Sequence, residues 1–473
     1  MKYKERVEAS KEYGLFKFKV PSIEERNAAI DMSGEGTLYK KIILTDLNSF
    51  YNPIQVPKNN DKISNNWLLS HKEYGQTYTE FIRTKSYFPL KDKKDIIYLV
   101  YLNFTKSVQK VKKQEQNLLT TGFIENINLN EYSKSKTKKI YYEDDLDLTV
   151  NIPENLNENL LDLTLNMVKN YFFPINVELI NFNVPLGNLI FRKEDESDNL
   201  VSIEADSLLN YLKQFHKIDN FYCILYFTNI DLFHNVSIYK ANKVNKYQFY
   251  PKSFLNNDSC FEINNAKIRK ALISLSEFKV NIDNYNNNKN NKNIIEDKDE
   301  EETKQKKLES KSFKNYIKLI LRNICLLFGL SNCIFYECLL NGFNSLDYFN
   351  SLPLELCPVC LKKLYGVILR KDQDIEEKIK NSMQIYERFK LLSQFLSFGE
   401  EKEKREKEER TISKKKKSKK EIEKEKEEKE KLQEEKEMRE QANKSNIYAR
   451  EFENEWDWYD RRIESLKNVD SFN

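Results

Sequence analysis

The residues best equipped for chemistry are cysteines. The chain has seven, and five of them, Cys325, Cys333, Cys338, Cys357 and Cys360, fall in one short stretch. Four have the spacing C-x4-C-x18-C-x2-C. Two closely spaced thiol pairs joined by a loop suit a tetrahedral Zn²⁺. Each pair spans one edge of the tetrahedron, and the loop brings the pairs together. Pro358, inside the second pair, favours a tight turn of the kind such knuckles use. The expectation is one structural Zn²⁺ on Cys333, Cys338, Cys357 and Cys360. The alternative is four separate buried thiols acting as small hydrophobes, and Cys223, Cys260 and Cys325 are read that way.

Other chemistries have little to work with. The chain has only three histidines, His71, His216 and His234. None is four residues from another, the spacing that sets two imidazoles on one helix face. No nucleophile elbow, phosphate-binding loop or dinucleotide-binding glycine motif is present. Asp144 and Asp145 sit in an acidic loop and read as a solvated turn.

These residues need a scaffold, and the sequence supplies one. Hydrophobic residues make up 40% of 473 positions, enough for a real core. Lys and Arg number 78 against 74 Asp and Glu, and the net charge of +4 excludes polyanion binding by bulk charge. Clustered cysteines without a secretory leader point to a reducing compartment. Residues 95–104 and 221–227 are continuous β-branched and aromatic runs, expected as buried strands. Residues 155–171 and 206–215 have helical apolar spacing, 175–184 alternates as a strand, and 236–239 with 247–250 read as a further strand pair. Helix and strand alternate as in an α/β layer.

The expected organisation is an N-terminal region (1–140) and an α/β subdomain (141–280). An Asn/Lys-rich insertion (281–312), read as disordered, follows. Next come a helix and the cysteine subdomain (313–399), a charged low-complexity linker helix (400–444) and a C-terminal amphipathic helix (445–473). The charged segment has too few apolar residues for a coiled-coil seam. In the last segment Tyr448, Phe452, Trp456, Tyr459, Ile463 and Leu466 form one stripe, with Trp458 on the opposite edge. That stripe either docks on the protein's own fold or anchors a partner.

Gly329-Leu-Ser-Asn-Cys333, Cys338, Leu340-Asn-Gly-Phe-Asn344 and Pro353 to Leu364 together closely resemble the archaemetzincins, zinc metallopeptidase-fold proteins of the metzincin group. The resemblance implies a zincin-like α/β domain with a mixed sheet, long helices and a four-cysteine zinc subdomain. The family signature H-E-x-x-H-x-x-G-x-x-H-C-x4-C-x-M aligns without gaps on Gly329 and Cys333. Arg322 then stands at the first His position, Asn323 at the catalytic Glu, Leu326 at the second His and Asn332 at the third. Leu340 stands at the Met. Arg322 has no lone pair to give a metal, Leu326 has no donor atom, and Asn323 cannot take a proton from bound water. Asn332 offers only a neutral oxygen.

The resemblance therefore implies a catalytically silent homologue that keeps the structural zinc, lacks the catalytic zinc, and acts by binding a peptide or protein. The expected routes are the former substrate cleft, where a peptide can pair along a sheet edge, and the 445–473 helix. Two alternatives stand beside it. One is an active zinc peptidase with divergent ligands. The other is a nuclear or nucleic-acid-associated scaffold acting through the Lys-rich tail, whose near-cancelling charges and lack of interleaved aromatics argue against nucleic acid. No membrane span is visible. The expected location is the cytoplasm, with Lys414–Lys417 as a candidate nuclear-import patch. Arg322 is expected to face solvent in the cleft or to pair with a carboxylate.

Overall fold

The computed structural model describes residues 7–9, 16–33, 37–44, 47–55, 67–70, 73–84, 96–105, 140–141, 156, 158–186, 189, 191–193, 201–215, 218, 221–233, 248–251, 259–265, 268–276, 298–343, 346–368, 375–396 and 452–467. Its strands are β1 (Val7–Ala9), β2 (Phe16–Phe18), β3 (Ile96–Thr105), β4 (Ile140–Tyr141), β5 (Asn176–Pro185), β6 (Phe191–Lys193), β7 (Val201–Glu204), β8 (Phe221–Thr228), β9 (Asp231–Phe233), β10 (Gln248–Pro251), β11 (Ser259–Asn265) and β12 (Lys270–Ser274). The helices are α1 (Ile23–Ile30), α2 (Thr37–Leu44), α3 (Leu47–Phe50), α4 (Trp67–Ser70), α5 (Tyr78–Ile82), α6 (Glu158–Tyr171), α7 (Ala205–Phe215), α8 (Lys298–Leu327), α9 (Leu346–Ser351), α10 (Pro358–Ile368), α11 (Ile375–Leu396) and α12 (Glu453–Lys467).

The main sheet has ten strands in the order β4-β6-β7-β9-β11-β12-β8-β3-β5, with β10 also paired to β11. Strand β3 runs parallel to both β5 and β8, and β8 parallel to β12. Strand β11 is antiparallel to β9, β10 and β12. This is the mixed α/β architecture that the sequence alternation implies.

The strand period of two divides the core between the faces. On β3, Ile97, Leu99 and Tyr101 enter one cluster, while Val100, Leu102 and Phe104 enter the other. The first cluster is the larger. It holds the apolar faces of α6, α8, α10, α11 and α12 together with the cysteine region. The second lies under α7. Phe328, at the end of α8, stacks on Phe172 with ring centroids 5.6 Å apart and also meets Tyr222 at 4.6 Å. This fixes the end of α8 against the sheet.

Several expectations change. Helix α8 is 30 residues long and starts at Lys298, so the part of the insertion from 298 to 312 is helical rather than disordered. Its Glu and Lys residues are good helix formers and continue the helix that the apolar face anchors. Pro358 opens α10 instead of closing a turn. The first helical position suits proline because no N–H is needed there. Gly329 ends α8 as expected, with φ +88°. Trp458 is not set apart among charges. Its indole donates to the Phe50 carbonyl at 3.1 Å and packs edge-on to Phe50, Tyr51 and Tyr459. Phe452, Tyr459, Ile463 and Leu466 are buried, so the apolar stripe docks on the fold. His71, His216, His234, Asp144, Asp145, Tyr448, residues 236–239 and residues 400–444 lie outside the described residues. Among the described residues no helix is long and apolar enough to cross a membrane.

Candidate metal centre

The two cysteine pairs come from different local structures. Cys333 and Cys338 lie on the loop after Gly329, and Cys357 and Cys360 flank the start of α10. Cys333 N–H donates to the Leu340 carbonyl at 2.8 Å and closes the loop on itself. The Asn341 side chain braces it from inside. Its Oδ1 accepts from Cys338 N–H at 2.8 Å, and its Nδ2 donates to the carbonyls of Cys333 (2.9 Å) and Tyr336 (3.0 Å).

The result is a group of four buried sulfurs, all within 4.8 Å of one another, that could hold a metal ion. Cys333 and Cys357 Sγ are 3.5 Å apart. Tetrahedral Zn–S bonds of about 2.3 Å put neighbouring sulfurs about 3.8 Å apart, so the donor set fits zinc. A disulfide needs sulfurs about 2.05 Å apart, and all four are free thiols. Backbone N–H groups of Cys357 (3.3 Å) and Leu340 (3.5 Å) donate to Cys338 Sγ. Burial alone raises the Cys333 thiol, but hydrogen bonds from the other three thiols outweigh it and hold Cys333 well below the ordinary range. Burial holds Cys338 and Cys357 well above it. The thiolate is the form that ligates a metal.

The second constellation sits beside the first. Arg322 is fully buried on α8. Its Nη1 donates to the carbonyls of Leu339 (3.2 Å) and Asn341 (3.0 Å), and its Nη2 donates to Asn332 Oδ1 at 2.7 Å. Asn332 Nδ2 donates to Glu73 Oε1 at 2.7 Å, and Trp67 Nε1 donates to the same oxygen at 2.7 Å. The Asn332 amide thus lies between cation and carboxylate, oxygen toward the guanidinium and nitrogen toward Glu73. Phe343 covers the guanidinium at 5.1 Å. The indole of Trp67 reaches Glu73 because residue 342 is glycine: a Cβ there would fall 2.1 Å from the ring.

Arg322 does not face solvent, as one of the two expectations had it. It faces inward and donates to two carbonyls and an amide, and that amide in turn donates to the Glu73 carboxylate. Of the four positions aligned with the family signature, Arg322 and Asn332 are brought together by a hydrogen bond. Asn323 turns back to donate to the Leu319 carbonyl at 3.0 Å, and Leu326 is buried in the apolar core. Sequence reading missed Glu73, Trp67 and Asn341. Glu73 and Asn332 are 259 residues apart in the chain, and no local pattern announces such a contact.

A third polar group underlies the cysteines. Arg388 on α11 donates from Nη2 to both oxygens of Glu355, each at 3.0 Å, and from Nε to the Tyr171 carbonyl at 2.7 Å. The Tyr459 hydroxyl of α12 also donates to Glu355. The Glu355 carbonyl accepts from Leu339 N–H at 3.1 Å, so this ion pair joins α11, α12 and the cysteine loop.

No protein-family model matches the chain. Archaemetzincin-2 of Pongo abelii is 26% identical over 224 residues, which cover 45% of this chain and 55% of that protein. Archaemetzincin-1 of Homo sapiens is 45% identical over 51 residues, covering 11% of this chain and 10% of that protein. The chain is a relative of the archaemetzincins. It spans about half the length of the archaemetzincin-2 proteins it matches. The crystal structure of an archaemetzincin from Methanopyrus kandleri has a TM-score of 0.27 at 12% identity, covering 60% of this chain and 96% of that one.

Proposed function

We propose that this archaemetzincin relative is a catalytically silent member of a metallopeptidase family, built around one structural zinc on Cys333, Cys338, Cys357 and Cys360, and that it acts by binding a peptide or protein. The observation that carries the reading is Arg322. The position that aligns with the first metal-binding imidazole holds a buried guanidinium that donates to the carbonyls of Leu339 and Asn341 and to Asn332 Oδ1. A permanent cation at that place repels a second one. The neighbouring positions offer Asn323, already bonded within its helix, and Leu326, which has no donor atom. At the position aligned with the catalytic Glu, the Asn323 amide cannot take a proton from a metal-bound water.

The zinc, when bound, supplies cross-linking: it ties the loop after α8 to the start of α10. The chain's own residues shape the centre. Asn341 holds the first pair, two backbone N–H groups donate to Cys338, and Glu355 supports the loop from below. Binding needs a surface rather than a metal. Strand β5 is ten residues long and, among the described residues, pairs only with β3, leaving one edge for backbone pairing with an extended peptide.

Metal analysis joined to a peptide-library assay tests the proposal. The expected result is one zinc per chain and no chelator-sensitive cleavage. Two zinc ions per chain, or cleavage abolished by chelator and restored by zinc, would overturn it.

A further inference from the structure

Lys363 is fully buried, and its Nζ has no hydrogen-bond partner among the described residues. Taking an ammonium out of water without a partner is costly, so an uncompensated one is a standing anomaly. Its place in the fold offers a resolution. Lys363 lies on α10, one helical turn beyond Cys360 and on the same side of the helix. The Lys363 ammonium is also among the groups that pull the Cys333 thiol down.

A zinc ion held by four thiolates has a net charge of 2−. That charge must also be met in a site where all four sulfurs are buried. Two backbone N–H groups spread the charge of Cys338. Among the described residues the Cys333 sulfur has the other thiols as its hydrogen-bond neighbours. We propose that Lys363 is the counter-cation of the tetrathiolate centre: it positions no ligand, but its ammonium neutralises half of the excess charge of the loaded site. Each group then answers the other's unpaired charge. The inference rests on the zinc reading above and adds to it the residue that sets the centre's affinity.

Lys363→Met keeps the length and apolar stem of the side chain and removes the charge. Zinc affinity, measured by competition with a chromogenic chelator on the full chain, is expected to fall 10- to 100-fold, the usual scale for outer-shell changes. Lys363→Arg, which keeps the charge, should stay within a few-fold of the natural protein. In the cobalt-loaded Met variant the sulfur-to-metal charge-transfer band should shift while the tetrahedral d–d bands persist, which a merely structural role would not produce. If the natural protein binds zinc and the Met variant binds it equally well, the counter-cation proposal fails. If the natural protein binds no zinc at these cysteines, the underlying reading fails instead. Should the Met variant not fold, ¹⁵N-lysine labelling of the natural protein decides: a slowly exchanging ammonium in the loaded form supports the proposal, and a rapidly exchanging one refutes it.

Discussion

Replacing Arg322 by Met asks what the buried guanidinium holds together. Methionine fills most of the volume of the stem, so the cavity contribution is small. What is lost is the set of donors. The carbonyls of Leu339 and Asn341 and the Oδ1 of Asn332 all accept from Arg322, and all lie in a buried loop. A buried acceptor left without a partner costs about 1–3 kcal/mol. Three such groups, with partial relaxation, give a loss of roughly 3–6 kcal/mol. Against a typical total of about 5–15 kcal/mol this is a large fraction. Urea unfolding followed by tryptophan fluorescence reads it, and Trp67, hydrogen-bonded to Glu73, is a local reporter. Because Leu339 and Asn341 flank the Cys338–Cys333 brace, zinc should also leave the variant faster in a chelator chase. A double-mutant cycle with Asn332→Leu should return a coupling above ~1 kcal/mol, as expected for directly bonded neighbours. A stability loss under about 1 kcal/mol, with unchanged zinc release, would show that the guanidinium does not hold the loop.

Other perturbations follow from the same structure. Glu355→Gln leaves Arg388 as a buried charge without its counterion, and a loss of about 3–5 kcal/mol in denaturant unfolding is expected. Ending the chain at residue 399 removes α12, and with it the Tyr459 bond to Glu355 and the Arg462 bond to the Ile42 carbonyl (2.6 Å). The truncated chain should melt lower and aggregate more in light scattering, and an unchanged melt would contradict self-docking. Cys357→Ser should abolish stoichiometric zinc by elemental analysis and lower the melting temperature. Glu204 is buried, and burial first, then the charge of Asp206, pushes its carboxyl up to about 8. The folded state therefore keeps that proton over a range where the unfolded chain, near 4.5, has released it. Stability should fall as pH rises from about 5 to 8, by up to roughly 5 kcal/mol at ~1.4 kcal/mol per unit, and Glu204→Gln should flatten the profile.

The parts of the fold that could be read in advance are those written in local periodicity. The runs over 95–104 and 221–227 became β3 and β8 because fully buried strands need β-branched and aromatic residues on both faces. The helix stop at Gly329 was visible because only glycine takes its positive φ without cost. The cysteine spacing was legible because ligand pairs are local, and only the distance between the pairs is a tertiary matter. Helix in the charged stretch after Lys298 was not legible. Composition alone marks such a stretch as unable to bury itself, and its helicity is borrowed from the anchored half of α8. The polar contacts around the cysteines were hidden for a different reason. Glu73–Asn332, Arg388–Glu355 and Tyr459–Glu355 each join distant segments, and a lone Glu, Arg or Tyr looks the same in sequence whether solvated or buried.

Arg322 belongs between these cases. Its inability to bind zinc follows from its chemistry alone, so the sequence sufficed to mark the position as altered. What it does instead depends on geometry. Its acceptors are the carbonyls of Leu339 and Asn341, and Asn341 is the residue whose side chain braces Cys333 and Cys338. The substitution at one aligned metal position is thus wired into the loop that shapes the other candidate metal site. Reversing it is then more than a matter of restoring ligands. Returning Arg322, Asn323, Leu326 and Asn332 to His, Glu, His and His would remove all three donors to that loop and leave its carbonyls buried and unpaired. The expected outcome is a destabilised protein whose cysteine centre binds zinc more weakly, seen as lower stoichiometry at equal free zinc. A well-folded quadruple variant with two tightly held zinc ions would show that the loop stands without the guanidinium, and that the coupling inferred from its hydrogen bonds is not what keeps Arg322 in place.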